Sequence, residues 1–193
     1  MLIAITGGIG SGKTYASLTF EQLNIPVIYA DQIAKELIIN NQYIKEQINC
    51  YFNTLDLKKI RTKIFKSKKK RLFLEKLLHK KVLKKISQKI LDLKLKDSTC
   101  CIIEIPLLHN LFSILKHLNI DRIILVICNQ QLQISRVMHR DKISKSQVVS
   151  IIKSQISSQT AIKRIEQLAD YVLDGSDLKQ LHMQVIGMYG NFL

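Results

Sequence analysis

The chain has 193 residues, 47% of them hydrophobic, which is enough for one domain with a substantial core. Lysine and arginine number 30 against 15 acidic residues, a formal net charge of +15. Residues 58–96 hold 17 of those cations and only Glu75 and Asp92, so the excess is local. The four cysteines, at 50, 100, 101 and 128, form no C-x-x-C pair, which argues against a zinc site or a disulfide framework. No apolar run approaches the roughly 18 residues of a membrane span. Met1 leads directly into the first expected strand, leaving no room for a signal peptide. A soluble, cytoplasmic protein with reduced thiols is expected.

Residues 2–6 (Leu-Ile-Ala-Ile-Thr) predict a short buried strand. Gly7-Gly8-Ile9-Gly10-Ser11-Gly12-Lys13-Thr14 follows and matches G-x-x-x-x-G-K-[ST], the phosphate-binding P-loop. A helix is expected after it, with Leu18 and Leu23 facing inward. Gly7, Gly10 and Gly12 are expected to allow positive φ and a close backbone approach to a ligand. The loop N–H groups then form an anion nest, reinforced by the start of the helix. Gly8, Ile9, Gly10, Ser11, Gly12, Lys13, Thr14 and Tyr15 are therefore the candidate nucleotide-binding residues. Lys13 is expected to reach the phosphates, and the Thr14 hydroxyl to ligate Mg2+.

Residues 26–29 (Pro-Val-Ile-Tyr) predict a second strand, and Asp31 stands at the start of the helix after it. Two readings of Asp31 are open: an N-cap for that helix, or a functional carboxylate at the carboxyl end of a strand beside the P-loop. A helix is expected over 42–52. In the basic segment, Leu74, Leu78, Val82, Ile86 and Ile90 recur at i+4 and predict an amphipathic helix with a lysine face. That face reads either as a solvated surface or as an attraction for a polyanionic ligand. A third strand covers 101–105, with Glu104 near its carboxyl end; P-loop proteins often hold Mg2+ through an acid there. Residues 121–128 predict a fourth, central parallel strand. A helix over 130–139 leads to Arg140-Asp141-Lys142 at a hinge, where an arginine can fold over transferred phosphate. Ser144 and Gln147 form a capping box for a helix expected to run through Val148, Ile152 and Ile156 toward Leu168. A fifth strand over 169–173 and a terminal helix through Leu178, Leu181, Val185 and Met188 complete an α/β three-layer pattern.

Taken in order, these motifs resemble those of the dephospho-CoA kinase family, within the P-loop nucleoside monophosphate kinase-like group. Beyond the P-loop, residues 27–34 (VIYADQIA) are similar to the family's V-I-D-A-D-x-I-A. Ile60-Arg61 with Ile64-Phe65 is similar to L-R-x-x-V-F, and Leu77-Leu78-His79 falls on L-H-P. Pro106-Leu107-Leu108 matches P-L-L; Gln133, Arg136 and Arg140-Asp141 resemble Q-x-x-R…R-D; residues 169–174 (ADYVLD) resemble A-D-Y-V-I-D-N. The resemblance runs nearly end to end. It implies a P-loop NTPase fold with a five-stranded, mostly parallel sheet. One domain would span 1–193, with a helical, substrate-covering insertion at about 40–97 and a lid at about 139–165.

The resemblance further implies ATP- and Mg2+-dependent phosphorylation of the ribose 3′-hydroxyl of dephospho-CoA, the last step of coenzyme A synthesis. Asp31, Lys13 and Arg140 would be the catalytic residues; Asp31, Arg61, His79 and Leu108 would face the acceptor. The chain would act as a monomer or weak homo-oligomer, with no membrane or nucleic-acid partner. Another small-molecule P-loop kinase is the alternative, and a P-loop nucleic-acid-binding protein a more distant one. Four departures from the pattern stand out: Tyr29 for the first Asp of D-A-D, Lys80 for Pro, Asn110 for Glu and Gly175 for Asn. Either Gln155 or Gln159 could match the family's lid glutamine.

Overall fold

The computed structural model describes residues 1–94, 100–106, 111–155 and 159–190. Five parallel strands form one sheet in the order β2-β3-β1-β4-β5. They are β1 (Leu2–Gly7), β2 (Val27–Tyr29), β3 (Cys101–Glu104), β4 (Arg122–Ile127) and β5 (Tyr171–Asp174). Side chains alternate between the two faces of the sheet, as strand geometry requires. Ile3, Ile5, Ile102, Ile124 and Val126 enter one core, against α1 (Lys13–Gln22) and α10 (Leu178–Tyr189). Leu2, Ala4, Ile103, Ile105 and Leu125 enter the other. That second core is closed by α2 (Ala30–Asn40), α5 (Lys68–Lys94), α6 (Leu111–Leu118) and α9 (Gln159–Leu168). Both faces are covered, which explains why β1 and β4 read as unbroken apolar runs.

Between β2 and β3 the described residues contain helices and no strand. α3 (Gln42–Phe52) starts at Asn41, whose side chain accepts from the Ile44 N–H at 3.0 Å. α4 (Leu57–Lys66) starts at Asp56, whose carboxylate accepts from the Lys58 and Lys59 N–H groups. These helices share a core of their own with α2 and α5, built from Ile38, Ile44, Ile48, Phe52, Ile60 and Leu78. Tyr51 and Phe73 stack there with centroids 3.9 Å apart. The expected stripe on α5 is present: Leu78 and Ile86 are buried and Leu74, Val82 and Ile90 are partly buried.

After β4 come α7 (Gln130–Asp141) and α8 (Lys145–Gln155). Ser144 and Gln147 form the expected capping box: the Ser144 N–H donates to Gln147 Oε1 at 2.9 Å, and the Gln147 N–H to Ser144 Oγ at 3.4 Å. Arg140 and Asp141 belong to the last turn of α7 rather than to a hinge; the turn falls on Lys142, at φ 52°. Ile156 lies outside the described residues, which resume in α9. A second difference concerns α1. Leu18 is 48% exposed, while Ala16, Ser17, Thr19 and Phe20 are buried. Ala16 and Phe20, one turn apart, pack into the sheet core with Leu23 against them, so Leu18 falls on the outward face of the helix.

Candidate active site

Strand ends, P-loop and helix starts meet at the carboxyl edge of the sheet. Gly10 and Gly12 take positive φ, 75° and 105°, and Gly12 caps α1 without any side-chain acceptor. The first N–H groups of α1 therefore face outward with no intrahelical acceptor. Gly7 differs from expectation, since its φ is not positive. Glycine is needed there for closeness: a Cβ would lie 2.4 Å from the Val126 carbonyl oxygen. Ile9 is buried against Val137, Val148, Ile151 and Ile152 of α7 and α8. Its N–H donates to Gln155 Oε1 at 2.9 Å. Gln155 thus touches the loop, while the side chain of Gln159 lies outside what the structure describes.

Behind the nest, Glu104 is 7% exposed. Its Oε1 accepts from the Thr14 hydroxyl at 2.9 Å and lies 3.9 Å from Lys13 Nζ. Its Oε2 is buried and has no partner among the described residues. An ionised carboxylate oxygen left unpaired in the interior is costly. Here it stands beside a hydroxyl, in an all-oxygen donor set that suits a hard cation whose remaining ligands come from phosphate and water. No cluster of three or more His, Cys, Asp or Glu side chains able to hold a metal occurs among the described residues. Thr14 and Glu104 are thus the groups that could hold an ion alongside a nucleotide. The sequence marked Glu104 as an acid ending a strand, where P-loop proteins often hold Mg2+; its contact with Thr14 bridges 90 positions.

Asp31 is exposed in the first turn of α2. It does not cap that helix: the N-cap is Tyr29, and no side-chain cap bond forms. The capping reading of Asp31 is therefore set aside. Tyr29 is the register partner of Glu104, which places Asp31 just beyond the same sheet edge. The Tyr29 phenol replaces a family carboxylate; burial, then the Glu21 carboxylate, raise its pKa, so it is neutral at any ordinary pH.

At the end of α7, Arg140 binds Asp141 through Nε at 2.8 Å and Nη2 at 3.0 Å, and Arg61 Nη2 reaches the same carboxylate at 2.7 Å. Hydrogen bonding from Arg140 holds the Asp141 carboxyl below its usual range; burial opposes this and the charge of Arg61 adds to it. His79 is half-buried in α5, and its Nε2 has no partner among the described residues. Leu108 and Asn110 lie outside the described residues. Arg136 serves the framework. It donates to the Gly10 carbonyl at 3.3 Å, to Gly175 at 2.7 Å and to Ser176 at 3.0 Å, and so ties the P-loop to the turn after β5.

The family model described as dephospho-CoA kinase matches residues 1–180. The chain belongs to the dephospho-CoA kinase family. A dephospho-CoA kinase of Legionella pneumophila (strain Philadelphia 1) is 34% identical over 99% of this chain and 94% of its own. One from Buchnera aphidicola subsp. Schizaphis graminum is 36% identical over 100% and 89%. Among solved structures, the dephospho-CoA kinase from Campylobacter jejuni superposes with a TM-score of 0.63 at 25% identity, covering 98% of each chain. A shikimate kinase from Bacteroides thetaiotaomicron, at TM-score 0.55 and 13% identity, shares the fold alone. The five-stranded P-loop kinase architecture expected from the motif order is the one found. No helix among the described residues is long and apolar enough to cross a membrane.

Proposed function

We propose that this chain transfers the γ-phosphoryl group of ATP to the ribose 3′-hydroxyl of dephospho-CoA, giving CoA and ADP. The observation that carries the reading is the family match over nearly the whole chain; the meeting of Lys13, Thr14 and Glu104 at the carboxyl edge of the sheet supports it. Transfer of this kind needs positioning and charge neutralisation more than covalent help. The nest N–H groups and Lys13 would hold the phosphates. Thr14 and Glu104 would hold Mg2+, which supplies charge neutralisation when bound; the unpaired Glu104 Oε2 favours this assignment. Asp31 would accept the proton of the attacking hydroxyl as its oxygen bonds to the γ-phosphorus. The bond to the β–γ bridging oxygen breaks, and ADP leaves. Arg140 would meet the charge developing on the transferred group, with Arg61 and His79 on the acceptor side.

A coupled ADP-release assay tests this, run with Mg2+ and ATP, with and without dephospho-CoA. Stimulation by dephospho-CoA that Lys13→Ala abolishes is the expected result. A folded, ATP-binding chain that ignores dephospho-CoA refutes the assignment.

A further inference from the structure

We propose that Asp141 is a positioning residue for this transfer: it clamps the guanidinium groups of Arg61 and Arg140 side by side, coupling the acceptor-side helix α4 to the lid. The proposal rests on the function inferred above. Asp141 closes α7, and its side chain is only 13% exposed. Its two oxygens take three hydrogen bonds from two arginines of separate elements. Oδ1 accepts from Arg140 Nε, and Oδ2 accepts from both Arg140 Nη2 and Arg61 Nη2. Arg140 is held as a planar fork, the geometry that fixes a guanidinium in direction as well as place.

The arginines themselves are not used up. Their side chains are 59% and 43% exposed. Each guanidinium carries five N–H donors, so most of Arg140 and Arg61 is still available to an incoming anion. Two cations converging on one oxygen would otherwise repel. One carboxylate cancels half of that charge and leaves a net positive pair. The Asp31 carboxylate also acts on Arg140 and favours its charged form, so this pair lies within electrostatic reach of the proposed base. Apolar contacts run parallel to the ion pair. Phe65 of α4 packs on the lid core of Ile9, Val137 and Val148, and Arg61 lies over its ring at 5.6 Å. α4 and the lid are thus joined twice, and the polar joint is the one that aims an arginine.

Asp141→Asn keeps the shape but turns one acceptor into a donor facing an arginine. It is expected to lower kcat with dephospho-CoA about 10- to 100-fold, short of the roughly 100- to 1,000-fold of a deleted transition-state contact because the arginine is misaimed rather than removed. The ATP Kd and the KM for ATP should stay within about twofold, and Asp141→Glu should recover part of kcat. Arg61→Ala and Asp141→Ala should combine less than additively in kcat, because each breaks the same clamp. An acceptor-independent readout is the 15N NMR signal of the bonded guanidinium groups, Nε–H and Nη2 for Arg140 and Nη2 for Arg61. Hindered signals for Arg140 and Arg61 should be present in the wild type, lost in Asp141→Asn and restored in Asp141→Glu. Unchanged signals and kcat in Asp141→Asn overturn the proposal. So does a kcat loss that merely follows a fall in Tm and ATP affinity and is not rescued by Glu. A wild type that ignores dephospho-CoA would instead refute the substrate, while the NMR result still decides the clamp.

Discussion

Gly175 stands where the family pattern has Asn, and the structure gives it no room for any side chain. A Cβ there would lie 1.9 Å from the Ser11 carbonyl oxygen and 3.1 Å from Val126 Cγ1. An ordinary C···O contact is about 3.3–3.6 Å, so Gly175→Ala must push the P-loop or the turn after β5 by roughly 1.5 Å. Neither gives easily. The Gly175 N–H donates to the Ile127 carbonyl at 2.8 Å, and its own carbonyl holds Arg136 at 2.7 Å. Overpacking of this sort costs about 1–3 kcal/mol. At roughly 2–4 °C per kcal/mol for a chain of this size, Tm should fall by several degrees. The displaced loop should also misplace at least one N–H aimed at phosphate. A hydrogen bond to a charged group is worth about 1.5–3 kcal/mol, so the ATP Kd should rise roughly 10- to 100-fold. Differential scanning calorimetry and titration with ATP measure both. Gly187→Ala is the control: it lies within α10 with nothing near its would-be Cβ. It should stabilise by about 0.5–1 kcal/mol and leave ATP binding alone. If Gly175→Ala matches the wild type in Tm and nucleotide affinity, the close packing of this turn on the P-loop is refuted.

Asp31→Asn should leave Tm and ATP affinity near wild type and reduce transfer at least 100-fold, since Asp31 caps nothing; near-normal turnover would remove it as the base. Glu104→Gln should raise the Mg2+ concentration needed for half-maximal turnover by about tenfold, with Tm little changed, because the weak ion pair to Lys13 is lost together with the cost of a buried carboxylate whose Oε2 has no partner among the described residues. A titration of Mg2+ at saturating ATP reads this, and an unshifted curve would remove Glu104 from the metal site. The Asp141 carboxyl has its pKa lowered in the fold. Its contribution to stability is therefore fully present above the ordinary Asp value of about 3.9 and is lost as pH falls through the lowered one. The clamp should survive from neutral pH down to about pH 4, and Asp141→Asn should flatten stability only below that. Thermal midpoints collected from pH 7 to pH 3 test the sign.

The architecture was legible because its signals are local. Residues 2–5 and 123–127 are continuous apolar runs, and strands buried on both faces leave that trace. The P-loop and the Ser144–Gln147 box are likewise written within a few residues. What was not legible depends on pairs far apart in the chain. Glu104 meets Thr14 across 90 positions, Asp141 meets Arg61 across 80, and Gln155 meets Ile9 across 146. No periodicity encodes those distances. The expected inward turn of Leu18 failed for a different reason: the face of α1 that carries Ala16, Phe20 and Leu23 packs into the sheet core, and Leu18 lies on the other side of the helix. Asp31 shows the converse. Its position was readable, yet whether it capped α2 depended on which residue the helix starts from.

Ile9 has a consequence for modularity. The Ile9 side chain of the phosphate loop is a core residue of the α7–α8 pair, packed with Val137, Val148, Ile151 and Ile152. The phosphate loop and the α7–α8 pair are therefore not separable parts. A shortened chain without α7 and α8 would leave an isoleucine bare on its most sensitive loop. A chimera carrying a foreign lid would have to bring a matching socket for Ile9, whatever its surface contacts. Grafting experiments in this family should move residues 7–14 and the lid as one unit.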